Sequence, residues 1–250
     1  MAVSLTNKGF FRNEGSSANG CYVQLVGNAK AVHLLAVVAD ANSSSQTFPT
    51  PAGWTKVNEY SPTLWGPQIT LFKKYGETSN SQLLIGPPSS NNWFGAYYIH
   101  VEGCLATDPP GYVDYFGATS GTSNSLTGSR PAGGMLFSIA AWEGVRNMLI
   151  DSSGSCYQVS EGTTPWVFPG PSTNSTGAAS SMGWTIETGI TGNTHTWLAQ
   201  GGYSADNTGM MWVFTQGGPS FNRDGIEGTD IASVDGVDAG DIANVDGIDA

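Results

Sequence analysis

Apolar residues along the chain gather into short runs separated by Gly, Pro, Ser and Asn. The longest, Ala31 to Ala39, is nine residues with only His33 polar, bounded by Lys30 and Asp40. Its length, its valines and the polar cluster behind it (Ser43, Ser44, Ser45, Pro49, Pro51, Gly53) predict a strand covered on both faces rather than a helix. Trp54 follows the Pro-Ala-Gly turn, where its ring can lie over the end of a sheet and anchor the next strand, Thr55 to Tyr60. Cys21 to Val26 is expected to pair with the long run across the Gly27-Asn28 turn. Further strands are expected at 68–75, 81–85, 93–101, 134–142, 183–187, 194–199 and 210–215, with short segments at 112–116 and 166–168. The stretches 108–131 and 152–181 read mainly as loop. Two exits, Ile99-His-Val-Glu-Gly and Ala141-Trp-Glu-Gly-Val, are alike and hint at related positions.

The fold expected is all-β: a two-sheet antiparallel sandwich, jelly-roll-like, over residues 1–216. Residues 217–223 read as a linker and 224–250 as a short non-globular repeat tail. Gly is 34 of 250 residues and charged residues are only 12%, which leaves little material for amphipathic helices. The N-terminal residues 1–15 have no apolar core of signal-peptide length and no segment reaches eighteen apolar residues, so neither export by an obvious signal nor membrane insertion is expected. Cys21, Cys104 and Cys156 lie far apart in no metal-ligand spacing and are expected to be reduced thiols.

The net charge of −11 sits mostly in the tail. Residues 224–250 carry eight acids and no base, leaving 12 acids against 9 bases elsewhere, a net of −3. Nothing in the body forms the basic stripe that nucleic-acid binding requires. Aligned on Asp-Gly, the tail reads DGIEGTDIASV, DGVDAGDIANV and DGIDA, an eleven-residue period. Ile226, Ile231, Val234, Val237, Ile242, Val245 and Ile248 recur at fixed offsets and form the candidate assembly surface. Asp230 and Asp241 are placed to cap single helical turns, with the Asp-Gly pairs turning the chain. So few units bury too little to stand alone, since stacked repeats need three or more neighbours. The tail is therefore expected to order against another copy or another assembly component. A calcium alternative rests on Asp235, Asp238, Asp246 and Asp249, although the EF-hand spacing and the glycine-rich nonapeptide are both absent. No other metal site and no cofactor is expected.

Candidate chemistry elsewhere is thin. His33, His100 and His195 fall inside predicted strands and read as structural. Glu102 and Glu143 read as polar strand exits rather than the acid pair of a glycosidase. No nucleophile elbow, P-loop, dinucleotide fingerprint or zinc spacing is present. The chain is expected not to be an enzyme; a polysaccharide hydrolase is the disfavoured alternative. Among eight tryptophans, Trp65 and Trp93 stand in loop settings suited to stacking on a sugar ring, whereas Trp54, Trp142, Trp197 and Trp212 belong to the core.

The order of a buried strand, a Thr50-Pro-Ala-Gly-Trp-Thr55 turn, a strand ending Lys-Lys-Tyr, an aromatic strand closing on Val-Glu-Gly with Asp-Pro nearby, and a Trp-rich hairpin resembles a known domain. It is similar to the β-sandwich of many tailed-bacteriophage virion proteins: minor tail, fibre-associated and decoration proteins. The resemblance covers roughly residues 20–216. It departs at Ala31 and Val32, where that family often has Gly-Asp. The tail is similar to Asp-Gly-Val tails on structural proteins of aquatic phages. The resemblance implies a non-enzymatic virion component, assembled in the host cytoplasm, whose partners are other virion proteins and itself as a homo-oligomer. A carbohydrate- or receptor-binding module at a fibre tip, contacting host surface glycan, is the alternative.

Overall fold

In the computed structural model the described residues are 3–12, 20–39, 47–60, 67–86, 94–118, 121–143, 148–150, 156–159, 166–167, 178–186, 193–199, 206–217, 233–234 and 237–238. They form strands and no helix. In chain order these are β1 (Ser4–Arg12), β2 (Cys21–Leu25), β3 (Asn28–Ala39), β4 (Thr55–Tyr60), β5 (Gln68–Glu77), β6 (Ser81–Ile85), β7 (Phe94–Glu102), β8 (Tyr112–Ala118) and β9 (Ser123–Gly128). Then follow β10 (Met135–Glu143), β11 (Met148–Ile150), β12 (Cys156–Val159), β13 (Trp166–Val167), β14 (Ala178–Ile186), β15 (Asn193–Ala199), β16 (Asn207–Phe214), β17 (Ser233–Val234) and β18 (Val237–Asp238). All pairings are antiparallel.

Two large sheets form the centre. One has the order β1-β7-β3-β5-β4, the other β12-β14-β10-β16-β8, with β13 also on β14. The inner faces meet in one core, where Leu34, Tyr97, Ile99 and Leu71 join Phe137, Ile139, Met210 and Trp212. Trp212 Nε1 donates to Asn58 Oδ1 across that core at 3.0 Å. Residues 31–39 of β3 are buried without interruption, as are 94–101 of β7 and 135–142 of β10. A half-exposed sandwich sheet would alternate instead, so each large sheet needs cover on its other face as well.

Small sheets supply it. The β2-β6 pair lies on the first large sheet, burying Cys21, Val23, Leu25 and Ile85 while Tyr22, Gln24 and Leu84 face out. The β11-β15-β9 sheet lies on the second, where Leu126 and Trp197 pack with Leu136, Ala140, Trp142 and Met211. The two-sheet sandwich expected from the sequence is thus the middle of a four-layer body. The pairing expected between 21–26 and the long run is corrected: β2 pairs β6, because both edges of β3 are taken by β5 and β7. Trp54 is buried as expected, and its amide donates to Pro51 O at 3.0 Å, closing the turn that contains Gly53 at φ +76.

The second half repeats the topology of the first. Reading β8, β9, β10, β12, β14, β15 and β16 for β1 to β7 turns the order β1-β7-β3-β5-β4 into β8-β16-β10-β14-β12, and the β2-β6 pair into β9-β15. An irregularity repeats too. The β3-β7 and β10-β16 ladders begin at Ala39↔Phe94 and Trp142↔Asn207. Tyr98 and Met211 are the fifth residues from there, Ile99 and Trp212 the sixth. Between those two positions β1 inserts Lys8, and β8 inserts Val113, as a β-bulge. The segments just past β7 and β16 pair with each other, through the Cys104↔Gln216 bridge, Gly217 N to Gly103 O at 2.8 Å and Leu105 N to Thr215 O at 3.1 Å. That is the arrangement of two units related by an approximate two-fold axis. The similar exits noted in the sequence end β7 and β10, which are not equivalent strands.

Candidate functional site

Polar side chains concentrate in four places: a buried histidine network in each half, a lock at the junction of the halves, and an aromatic edge. In the first half, β3 and β7 place His33 opposite His100 and Leu35 opposite Tyr98, so His33, His100 and Tyr98 share the face covered by β2 and β6. The Tyr98 hydroxyl lies 2.8 Å from His33 Nδ1, 2.9 Å from His100 Nε2, and 3.2 and 3.1 Å from the amide and carbonyl of Val26. His33 Nε2 meets Asn28 O at 2.8 Å, and Asn28 Nδ2 donates to Glu102 Oε1 at 2.7 Å.

A carbonyl only accepts, so His33 carries a proton on Nε2 toward Asn28 O. The Tyr98 hydroxyl has one proton, which Val26 O and His33 Nδ1 compete for, and it accepts the Val26 amide. His100 meets the same hydroxyl through Nε2, and its Nδ1 has no hydrogen-bond partner. Both histidines are neutral. Burial pushes His33 down from the ordinary range, and burial, reinforced by His33 and Lys8, pushes His100 down to about 4.

The second half has a different trio in the equivalent layer. Ser138 Oγ lies 2.5 Å from His195 Nδ1 and accepts Trp197 Nε1 at 3.2 Å. His195 Nε2 is unpartnered, and burial alone pushes the imidazole down to about 4. A serine at hydrogen-bond distance from a histidine is the geometry of a nucleophile and its base. Here Ser138, His195 and Trp197 are fully buried between sheets, and the group orienting Ser138 is an indole rather than a carboxylate behind the imidazole. The arrangement fixes the packing of β15 on β10; no substrate atom can approach it.

The junction is held by charge. Asp108 Oδ2 accepts the Thr215 amide at 2.6 Å. Lys73 Nζ donates to Thr107 O, and to Pro109 O at 2.8 Å. Burial lowers the Lys73 pKa and raises that of Asp108, and it pushes the nearby Cys104 thiol up to about 12, far from a reactive thiolate. Cys104 is a free thiol, as expected, and Cys21 is buried; the Cys156 side chain lies outside the described residues.

Of the assembly residues, Val234 and Val237 are described and are brought together as direct partners in the β17-β18 pair, beside Ser233↔Asp238. The register leaves Asp235 and Gly236 between them, the dipeptide that two-residue hairpins favour. Ser233 lies in this strand rather than in the capped turn expected after Asp230, because its neighbour Val234 is drawn into the hairpin. Ile226, Ile231, Ile242, Val245 and Ile248 lie outside the described residues, as do Trp65, Trp93, Asp235, Asp246 and Asp249. No group of three His, Cys, Asp or Glu side chains among the described residues is arranged to hold a metal ion.

Sequence reading missed the aromatic edge. Tyr60 closes β4 at the border of the first large sheet, and Tyr112 and Tyr115 lie on β8 at the border of the second. The Tyr115 ring is 4.6 Å from Tyr60 and 5.3 Å from Tyr112. A run of tyrosines in a short edge segment was the available signal; their meeting with Tyr60 depends on how the sheets stack. Comparison of the chain with protein-family models, with curated proteins and with solved structures finds no match.

Proposed function

We propose that the protein is a non-enzymatic structural component of a tailed-phage virion, tail- or fibre-associated or decorating the capsid. Its two halves are read as jelly-roll-like sandwiches, and its repeat tail attaches it to a neighbouring virion protein or to itself. The observation that carries this reading is the tail. Its described piece is a hairpin joining Val234 to Val237, and an isolated two-stranded hairpin is marginal in water. The same Asp-Gly spacing recurs at Asp224 and Asp246 with an apolar residue after each. A periodic apolar segment that cannot bury itself is an attachment element awaiting a surface. The resemblance of 20–216 to phage sandwich domains supplies the setting, the virion.

The test compares the full chain with one ending at Asn222, by light scattering after size-exclusion chromatography and by immunogold labelling of particles. Full-length protein is expected to form oligomers or to label particles, and the shortened chain to do neither. Equal assembly by both would remove the attachment role. The exposed aromatic edge favours a second reading, a saccharide-contacting module.

A further inference from the structure

The equivalence of the halves makes the tyrosine edge interpretable. β1 and β8 occupy the same place, each pairing on one side only among the described residues, with the bulge at the same ladder position. The first half has Asn7 and the bulged Lys8 there; the second has Tyr112 and Val113. A cation at a sheet border is the usual guard against unwanted association. In one half it is present, and in the other aromatic and apolar residues stand in its place.

The bulge also aims the rings. Residues three apart on a regular strand point to opposite faces. With Val113 inserted, Tyr112 pairs with Trp212 and Tyr115 with Met210, and both partners belong to the core between the large sheets. Tyr112 and Tyr115 therefore share a face, at the open border of that core, where Tyr60 joins them. Tyr112, Val113 and Tyr115 are 43%, 45% and 46% exposed.

Size, backbone and charge together select the occupant. The exposed area of the two β8 rings is on the order of 200 Å², far below the roughly 800 Å² per partner of a stable protein interface. The bulge disrupts the run of donors and acceptors that an added strand would need. The nearby charges are already engaged: Asp114 accepts the amides of Tyr115 and Thr127 at 2.9 and 2.7 Å, and Glu59 pairs with Lys56 at 2.5 Å. What remains is a cluster of rigid rings carrying hydroxyls, at a site that has no uncommitted cation for an anionic polymer among the described residues. Tyrosine offers amphipathic contact area at low entropic cost. We propose that Tyr60, Tyr112 and Tyr115 form a contact site for a neutral saccharide chain. This does not depend on the assembly role of the tail.

The test uses the full chain with maltohexaose, cellohexaose, chitohexaose and an array of neutral bacterial surface polysaccharides, read by saturation-transfer NMR and calorimetry. At least one probe is expected to bind with a Kd at or below about 1 mM. Tyr115→Ala is expected to weaken it about tenfold, and Tyr22→Ala, an exposed tyrosine on the outer face of β2, to leave it unchanged. The double change Tyr112→Asn with Val113→Lys copies residues that the same fold position carries in the first half, so it tests the site even if Tyr115→Ala unfolds; it too is expected to weaken binding about tenfold or more. No binding to any probe, or binding indifferent to these changes, overturns the proposal. Either result leaves the oligomer test of the tail independent.

Discussion

The buried histidines make stability fall with acid, and the size of the effect follows from the structure. His100 and His195 have ordinary pKa values of 6.5 and are pushed to about 4 in the folded protein. The unfolded chain therefore takes up protons as pH falls through 6.5, while the folded chain takes them up only near 4. Stability is fully present above pH 6.5 and is lost progressively on the way down to 4. Each shift corresponds to about 3 kcal/mol, so the pair removes about 6 kcal/mol, a large part of the 5–15 kcal/mol that a folded domain typically has. The geometry explains why neither can be charged in place. A charged imidazole carries a proton on both nitrogens, and His100 Nδ1 and His195 Nε2 are each buried with no acceptor. His33 is displaced in the same direction, and the carboxylate bearing on it, Glu77, stays charged across this window, because the Lys74 hydrogen bond, before that of Ser79, holds it down to about 2. Denaturant unfolding followed by tryptophan fluorescence from pH 7.5 to 4 should lose about 3 kcal/mol per pH unit near pH 5.3, the slope for two protons. Imidazole resonances of His100 and His195 titrating near 6.5 in the folded protein would refute the reasoning, as would a stability flat across this window.

Three further expectations rest on packing. Trp212→Ala empties the centre of the core, loses the indole bond to Asn58 and the stacking of Phe137 at 5.7 Å, and should cost about 3–5 kcal/mol in urea unfolding. Gly209→Ala places a Cβ about 2.3 Å from the Phe116 ring; a loss of about 1–3 kcal/mol is expected, and Phe116→Leu in the same chain should recover part of it. Deleting Lys8 removes the bulge and turns 3–7 over, exposing Val3 and Leu5 at about 1.5–3 kcal/mol each, whereas Lys8→Ala at this exposed site should stay within about 0.5 kcal/mol; thermal melts of the two variants separate the extra residue from its side chain.

The strands that were legible in the sequence are those buried on both faces. Runs such as 31–39 and 134–142 have no other way to be satisfied, and they became β3 and β10. Strands with one weak apolar contact were not legible: β9 buries only Leu126, and β1 carries a bulge that breaks its alternation, so both passed as loop or went unread. The pairing of β2 was misread because a short turn favours neighbours in sequence, whereas β3 already had two long-range partners. The three histidines were placed correctly inside strands, but the contacts that complete their networks are made across strands, Tyr98 to His33 over 65 residues and Ser138 to His195 over 57. No local pattern carries such information. The tyrosine edge was invisible for the same reason, since Tyr60 and Tyr115 meet only after two sheets stack.

The internal repeat escaped the sequence for a reason that bears on how this fold is specified. Equivalent ladder positions hold Ile99 and Trp212, Tyr98 and Met211, Leu34 and Phe137. These pairs share burial and face but little shape, and cores tolerate such exchange when total volume and patterning are kept. The polar groups have diverged further, into a His-Tyr-His network on one side and a Ser-His-Trp trio on the other. What both halves keep is strand order, register and one inserted residue in the first strand. A bulge cannot be lost without inverting every side chain on one side of it, whereas a core residue can change size if its neighbours adjust. The backbone irregularity has therefore outlasted the residues around it, and it does two jobs: in β1 it carries a guarding lysine, and in β8 it turns two tyrosines to the same side.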